Sequence, residues 1–353
     1  MSLTTASIHP RPGDHELETR LLGLVDGFRD RRIVVVGDLV ADEFIYGRLS
    51  RVSREAPVLI LEYDRTTVVP GGAGNAAANV ASLGGAARLV GVLGHKEIDR
   101  RLLRALPHGV DRTGIVRARA YLTPVKTRIL AGGLHSARQQ IVRIDRHASP
   151  GDTHPALGRV ERAARVALDG CDAVLVSDYG SGLVTPQLVA GLKRRLAKRG
   201  RRREIPILVD SRHDLLRYRG LTACTPNESE AEEMLEMSIG DDPRRIQKAG
   251  REIMRRTGAD GVVLTRGSRG MAVFVSGQRT AHIPISGTDE VADVTGAGDT
   301  VIATLTLALA VGASLYEAAR LANCAGGVVV MKRGTATVSA DELRHAVTND
   351  LAH

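Results

Sequence analysis

Aromatic residues are scarce in this chain of 353 residues: they make up 3% of it, and tryptophan is absent. Proteins that bind single-stranded nucleic acid stack bases on aromatic side chains. The scarcity therefore argues against nucleic-acid binding, although the formal net charge is +9. The most basic segment, residues 193–203, lies between a helical and a strand pattern. We interpret it as a solvated helix end, where cations are favoured, and expect no nucleic-acid partner.

Cysteines and long apolar runs are also few. Cys171, Cys224 and Cys324 are far apart and odd in number, which argues against a disulfide framework or a structural zinc site and favours a reducing compartment. The longest apolar stretch, residues 301–311, is shorter than the roughly 20 residues that span a bilayer. Residues 1–20 lack the continuous apolar core of a signal peptide. We expect a cytoplasmic protein with no membrane partner.

Apolar residues make up 43% of the chain, enough for one large α/β domain. Short runs rich in Val and Ile alternate with helical patterns, at residues 33–36, 173–176, 207–209 and 262–264. This spacing predicts a mostly parallel central sheet with helices on both faces.

A different pattern follows the first predicted strand. Residues 38–69 alternate between apolar and polar without a helical pattern, so we predict a small β-sheet lid that also includes part of residues 120–146. Such lids close over substrates and exclude water. The predicted organisation is an N-terminal extension or helix over residues 1–30 and a main domain over residues 31–350.

The motif Asp293-Val-Thr-Gly-Ala-Gly-Asp299 places a glycine turn directly before an apolar helix. The amides of Gly296, Ala297 and Gly298 would form an anion hole at the helix N-terminus. Asp299 would accept a proton from a hydroxyl that attacks a γ-phosphate. An ordinary Asp N-cap behind a glycine turn explains the same residues without a ligand, so the motif alone leaves both interpretations open.

A second glycine motif, residues 72–77, fits the Gly-x-Gly-x-x-Ala dinucleotide pattern. The match is weak, because the acidic residue expected about 20 positions later should end the next strand, whereas residues 94–97 read Gly-His-Lys-Glu in a loop-like setting. We prefer a turn in which Gly72 lets a polyol approach the backbone, with Asn75 and Asn79 available for its hydroxyls.

Charged side chains follow the predicted strands. Asp38 is equally well explained as a turn former or as a ligand, whereas Asp42 is suited to accepting hydrogen bonds from sugar hydroxyls. Lys126, Arg128 and Arg143 occupy alternating positions on strand-like segments. Cations on one face of a strand can be ordinary surface, or they can hold a substrate phosphate.

Two further turns have both a structural and a functional interpretation. Asn227 and Glu230 match a capping box, and they would also suit the ordering of Mg²⁺ waters near phosphates. A hairpin turn explains Gly267 and Gly270 without a ligand, while Thr265 at the strand end would face a nucleotide.

Together these motifs resemble the ribokinase-like (PfkB) family of carbohydrate kinases, over about residues 32–342. The motif at residues 293–299 is similar to the family's C-terminal signature, and residues 71–84 are similar to its N-terminal glycine motif. The resemblance implies a ribokinase-like α/β fold that binds ATP and Mg²⁺ and forms a homodimer through the β-lid.

The resemblance also implies roles for individual residues. Asp299 would be the catalytic base, beside the anion hole of Gly296, Ala297 and Gly298. The implied ATP-site residues are Asn227, Glu230, Thr265, Gly267, Gly270 and Asn323. Glu230 would hold Mg²⁺ through water, and Asp293 and Thr295 would border a site for a monovalent cation such as K⁺.

Within the family, residues 46–58, 125–130, 139–145 and 177–179 look most like the D-glycero-β-D-manno-heptose 7-phosphate kinases. Such an enzyme makes the 1,7-bisphosphate. The implied substrate-binding residues are Asp42, Gly72, Asn75, Lys126, Arg128, Arg143 and Asp178.

The chain departs from this pattern at two places. Ser181 stands where Lys is expected, and residues 211–213 read Ser-Arg-His where Pro-Lys-Gly is expected. The lost cations point to a different sugar, although Arg212 would substitute in part. The alternatives are a kinase of another sugar or nucleoside, or a non-catalytic sugar- or nucleotide-binding protein of this fold. Many relatives carry a fused nucleotidyltransferase domain, and because this chain ends after the kinase-like region we expect the kinase step only.

Overall fold

The computed structural model describes residues 12–132, 139–147, 156–198, 204–287 and 292–351. The strands are β1 (Arg32–Gly37), β2 (Leu39–Val52), β3 (Leu59–Gly72), β4 (Ala86–Leu93), β5 (Val110–Arg117), β6 (Val125–Gly132), β7 (Gln139–Arg146), β8 (Ala173–Asp178), β9 (Ile207–Ser211), β10 (Ala223–Cys224), β11 (Gly261–Thr265), β12 (Met271–Val275) and β13 (Ala281–Ile283). The helices are α1 (Pro12–Asp26), α2 (Ala73–Ser82), α3 (Glu97–Ala105), α4 (Leu157–Ala167), α5 (Pro186–Ala197), α6 (Glu228–Leu235), α7 (Pro243–Thr257), α8 (Ala297–Val311), α9 (Leu315–Val330) and α10 (Ala340–Leu351).

The larger sheet has the strand order β13-β12-β11-β10-β9-β8-β1-β4-β5. Its strands are parallel except at one end, where β12 runs antiparallel to β11 and β13 antiparallel to β12. Residues 33–36 and 173–176 are fully buried, because helices cover both faces of the sheet. This explains why the strands read as continuous apolar runs, and the predicted mostly parallel sheet is confirmed.

Separate apolar cores fill the two faces of the larger sheet. One core takes side chains from α1, α2, α8, α9 and α10, and the other takes them from α4, α5, α6 and α7. In α1, Leu21, Leu24 and Val25 are buried in the first core, so this helix packs into the main body of the protein. Residues 1–11 of the predicted N-terminal segment lie outside the described residues, as do residues 199–203 of the basic segment that begins in α5.

The smaller sheet has the order β3-β2-β6-β7. Strand β2 begins two residues after β1 ends, and β3 leads directly into α2, so this sheet rises beside the carboxyl ends of the larger one. It contains most of the segments predicted as the lid, while residues 133–138 lie outside the described part of the chain. Of the helices that the structure describes, none combines the length and the apolar character needed to cross a bilayer.

Candidate active site

A cavity of about 210 Å³ lies between the small sheet, the carboxyl ends of the central strands and the N-terminus of α8. Ligands bind at this edge in open α/β sheets. The predicted site residues that line the cavity are Asp42, Gly72, Lys126, Arg128, Arg143, Thr295, Gly296 and Asp299. A larger cavity of about 880 Å³ lies near the amino ends of β1 and β4, but none of the predicted site residues lines it.

Asp299 is buried in the first turn of α8. Its Oδ2 accepts a hydrogen bond from Asn75 Nδ2 at 2.8 Å, and its Oδ1 accepts one from Tyr179 Oη at 3.0 Å. Burial raises the pKa of Asp299 to about 6, against the lowering effect of these two hydrogen bonds. The carboxylate is therefore ionised at neutral pH yet more basic than an ordinary Asp, as a general base requires.

The turn before α8 needs glycine at residue 296. Gly296 has a φ of 81°, in the left-handed region, and a Cβ there would lie 2.5 Å from Asn75 Nδ2. The Ala297 amide donates to the carbonyl of Val294 at 3.2 Å. The expectation of three free amides is therefore wrong for Ala297, because the turn closes onto Val294.

Two of the predicted phosphate-binding cations already have carboxylate partners. Arg128 Nη1 donates to Asp42 Oδ1 at 2.6 Å, and both side chains are more than nine-tenths buried. Arg143 makes two hydrogen bonds to Asp145, at 2.7 and 2.6 Å. Asp42, predicted to hold sugar hydroxyls, thus lines the cavity as half of an ion pair.

Tyr179 and Arg212 line the same cavity. Tyr179 is not among the predicted site residues, and Arg212 was expected only to substitute in part for a missing lysine. The Arg212 guanidinium carbon lies 4.4 Å from the Tyr179 ring centre, and Lys126 Nζ lies 4.9 Å from it. Burial lowers the pKa of Lys126 to about 8, and the charge of Arg212 acts in the same direction. Each residue lies three positions after a predicted strand, at residues 173–176 and 207–209, and this position was its signal in the sequence.

A second group of carboxylates lies next to Asp299. Burial raises the pKa of Asp210 to about 8, and the charges of Glu230 and Asp299 raise it further. A divalent cation would relieve this repulsion. Within the described ranges, no set of three or more His, Cys, Asp or Glu residues is arranged to hold a metal directly.

Asn227 and Glu230 form the capping box at the start of α6. The Glu230 amide donates to Asn227 Oδ1 at 2.8 Å, and the Asn227 amide donates to Glu230 Oε2 at 2.9 Å. Thr265 lies beside them, since its amide donates to the carbonyl of Pro226 at 3.0 Å. These three predicted ATP-site residues are therefore brought together at the carboxyl edge of the larger sheet.

The other predicted ATP-site residues differ in their surroundings. Gly267 begins a short 3₁₀ turn in open space. Gly270 is packed so closely that a Cβ would overlap the carbonyl oxygen of Ile283. Asn323, in α9, donates from Nδ2 to the carbonyl of Pro284 at 2.8 Å. Packing against residues 283–285 thus accounts for Gly270 and Asn323 without a ligand.

The structure does not bring Asp178 to the cavity, which corrects its predicted contact with substrate. Its Oδ2 accepts hydrogen bonds from Ser211 Oγ at 2.7 Å and Tyr218 Oη at 2.6 Å, and its Oδ1 accepts one from the Gly180 amide at 3.0 Å. Asp178 instead joins β8 to β9 and to the 3₁₀ turn at residues 215–217.

Asn79 is likewise committed to contacts inside the protein and is fully buried. Its Nδ2 donates to the carbonyl of Asn75 at 3.1 Å, and its Oδ1 accepts from Thr300 Oγ1 at 3.1 Å. The expectation that Asn79 is available for substrate hydroxyls is therefore wrong, because this amide links α2 to α8.

Asp38 is also buried, and its Oδ2 accepts hydrogen bonds from the amides of Tyr179 at 2.8 Å and Ser181 at 3.2 Å. Burial raises the pKa of Asp38 to about 7, with a further contribution from Asp178. Of its two interpretations, the structure favours the turn-forming one, since Asp38 shapes the loop that presents Tyr179.

Asp293 holds the loop that precedes α8. Its Oδ1 accepts from the Thr295 amide at 2.9 Å, and its Oδ2 accepts from the Gly334 amide at 3.0 Å. Burial opposes ionisation, but these hydrogen bonds keep the pKa of Asp293 below its usual value. An ionised carboxylate thus lies beside Thr295, which lines the cavity.

Residues 30–342 match the family model described as pfkB family carbohydrate kinase. The chain belongs to this family. The predicted ribokinase-like fold and membership of the carbohydrate kinase family are thereby confirmed. The chain is 41% identical over 323 residues to the bifunctional protein HldE of Trichlorobacter lovleyi, covering 90% of this chain and 63% of that protein. It is 37% identical over 329 residues to HldE of Caulobacter vibrioides, covering 93% and 65%. The chain thus spans less than two thirds of these relatives.

Solved structures support the fold. Phosphofructokinase-2 from Escherichia coli in complex with potassium has a TM-score of 0.70 at 20% identity, covering 90% of this chain and 98% of that one. Ribokinase from Arabidopsis thaliana complexed with ribose and ATP has a TM-score of 0.65 at 20% identity, covering 91% and 99%. At this level of identity the similarity concerns the fold alone.

Proposed function

We propose that this protein transfers the γ-phosphate of ATP to a hydroxyl of a phosphorylated sugar. The proposed acceptor is D-glycero-β-D-manno-heptose 7-phosphate and the product is the 1,7-bisphosphate. The observation that carries the proposal is a buried, hydrogen-bonded Asp299 in the same cavity as four cations. These cations are Lys126, Arg128, Arg143 and Arg212.

In the proposed reaction, the ionised Asp299 takes the proton of the acceptor hydroxyl. The hydroxyl oxygen then attacks the γ-phosphorus, and the bond to the bridging oxygen of ADP breaks. The N-terminus of α8 faces the transferring group, so its dipole and the amides of Gly296 and Gly298 would stabilise the negative charge.

The nucleotide would lie along Asn227, Thr265 and Gly267, next to the carboxylates of Asp210 and Glu230. The repulsion that raises the pKa of Asp210 supports a Mg²⁺ ion there. Such an ion, held through water, would neutralise phosphate charge.

A monovalent cation is proposed near Asp293 and Thr295. The ionised Asp293 supports this site, and potassium is named in the complex of E. coli phosphofructokinase-2, which has the same fold.

The choice of acceptor is supported by the two HldE relatives and by the retained positive charge of the cavity. Ser211, one of the residues that depart from the expected Pro-Lys-Gly segment, donates a hydrogen bond to the buried Asp178. This residue therefore has a structural role inside the protein. The neighbouring Arg212 supplies a cation to the cavity, which favours a phosphorylated acceptor.

We also propose a homodimer that pairs the small sheets. Apolar side chains of that sheet are more than a third exposed: Leu49, Val52, Leu59, Tyr63, Ile141, Val142 and Ile144. Burying such a surface in a second copy of the chain would be favourable.

The test is an ADP-release assay over heptose 7-phosphate, fructose 6-phosphate, ribose and nucleosides. We expect turnover with heptose 7-phosphate, and a fall in kcat of roughly 10²- to 10⁴-fold in Asp299→Asn. Asp341→Asn changes a surface carboxylate of α10 that pairs with Arg344, and it should leave turnover unchanged. Near-normal turnover in Asp299→Asn would refute the mechanism. No ADP release with any acceptor would support a non-catalytic binding protein instead.

A further inference from the structure

The four cations of the cavity are of two kinds. Arg128 and Arg143 are neutralised by Asp42 and Asp145. Lys126 and Arg212 form no ion pair with any residue that the structure describes. An incoming anion would therefore find two cations already engaged and two whose charge is still unbalanced.

The two unbalanced cations contact the same aromatic ring. Lys126 Nζ and the Arg212 guanidinium lie 4.9 and 4.4 Å from the Tyr179 ring centre. A cation–π contact holds a cation in place without neutralising it. Arg212 reaches the protein surface, and the burial of Lys126 near a like charge lowers the pKa of Lys126. An anion bound to both side chains would relieve that penalty.

Tyr179 also touches the proposed catalytic base, since its Oη donates to Asp299 Oδ1 at 3.0 Å. We propose that Lys126 and Arg212 bind the phosphate monoester of the acceptor. We also propose that Tyr179 is a positioning residue, which holds the Asp299 carboxylate in a fixed position relative to that bound phosphate. This inference rests on the proposed kinase function. It makes Arg212 the residue that selects phosphorylated over unphosphorylated sugars.

The first experiment compares kcat/KM for heptose 7-phosphate with kcat/KM for the unphosphorylated heptose. In Arg212→Met the ratio should fall roughly 10- to 100-fold, as for a lost charged hydrogen bond, with no loss of kcat/KM for the free sugar. Arg212→Lys should retain part of the preference, because it keeps the charge and loses the planar fork. The matched control is Arg65→Met, since Arg65 lies 4.3 Å from the Tyr46 ring in the small sheet, away from the cavity.

A collapse of the ratio in Arg143→Met but not in Arg212→Met would overturn the assignment. An equal loss on both sugars in Arg212→Met would also overturn it, because Arg212 would then not recognise the phosphate.

The second experiment uses Tyr179→Phe, which keeps the ring and removes the hydroxyl. KM for heptose 7-phosphate should change little, because the cations keep their aromatic contact. The acid limb of the pH profile, in which kcat rises as Asp299 ionises, should move to higher pH. The reason is that the Asp299 carboxylate loses a hydrogen-bond donor and becomes harder to ionise. Tyr46→Phe is the control. A uniform fall in kcat with an unmoved limb would rule out the positioning role.

A binding measurement separates this inference from the proposed function. Inorganic phosphate is titrated with an unreactive ATP analogue present, and binding is followed by ³¹P NMR. Weaker binding in Arg212→Met, but not in Arg65→Met, would support the phosphate site even if heptose 7-phosphate were not turned over. Equal binding in wild type and Arg212→Met would overturn the inference even if the kinase activity were established.

Discussion

Asp299→Asn should stabilise the protein at neutral pH while removing its proposed general base. Burial raises the folded-state pKa of Asp299 from 3.8 to about 6. A raised carboxyl pKa means that the folded protein binds the proton more tightly than the unfolded chain. The ionised group therefore costs stability as pH rises above the unfolded value. A neutral amide removes that cost.

The magnitude follows from the shift of about two pKa units. The gain should be about 3 kcal/mol at pH 8 and about 1.5 kcal/mol at pH 5, where the folded carboxyl is mostly protonated. The hydrogen bonds can survive the change. The amide oxygen can accept from Asn75 Nδ2, and the amide nitrogen can donate to Tyr179 Oη, whose hydroxyl can rotate.

The assay is urea unfolding of wild type and Asp299→Asn at pH 5 and pH 8. The difference in unfolding free energy should be larger at pH 8. Asp293→Asn is the control at the other end of the same motif. It should lower the free energy of unfolding at pH 8, where Asp299→Asn should raise it. The pKa of Asp293 is lowered by folding, so its ionised form adds stability that is lost only as pH falls towards that pKa. Destabilisation by Asp299→Asn at pH 8, or a gain that does not shrink at pH 5, would refute the reasoning.

Three further changes test other parts of the structure. Asn75→Ala should move the acid limb of kcat upward by about one to two pH units, because the carboxylate loses a close donor; an unmoved limb would contradict this. Gly270→Ala should destabilise by roughly 2 to 4 kcal/mol in urea unfolding, because its Cβ would overlap the backbone. Gly277 has the same φ of 73° in open space, so Gly277→Ala should cost only roughly 1 to 2 kcal/mol, and equal losses would exclude the packing explanation. Leu59→Glu should shift sedimentation towards the monomer if the small sheets pair, and an unchanged sedimentation profile would argue against the dimer.

The periodicity of the sequence was sufficient to predict the central sheet and helix α8. Apolar runs at residues 33–36 and 173–176 are neighbouring parallel strands, because strands buried on both faces must be apolar throughout. The apolar stretch that begins at Thr300 lies in α8, and Gly296 before it has the left-handed backbone conformation. In these cases the local pattern and the tertiary environment require the same residues.

The partners of buried polar groups could not be predicted in this way. Asp178 and Asn79 have residue types that suit a substrate, yet their hydrogen bonds are completed by segments distant in sequence. Tyr179 and Asp299 are 120 positions apart in sequence. Nothing local to either residue shows that they touch. Whether a polar side chain at a strand end can meet a ligand depends on the partners and the position that the packing of the whole domain gives it.

Charge balance in the cavity suggests that the acceptor's phosphate affects the base as well as binding. The pairs Arg128–Asp42 and Arg143–Asp145 are neutral, so among the residues that line the cavity the unbalanced charges are those of Lys126, Arg212 and the ionised Asp299. Arg212 is one of the groups that oppose the effect of burial and lower the pKa of Asp299. A bound phosphate dianion would offset the two cations and make Asp299 a stronger base. A free sugar would meet the weaker base, so the preference for phosphorylated acceptors should appear in kcat as well as in KM.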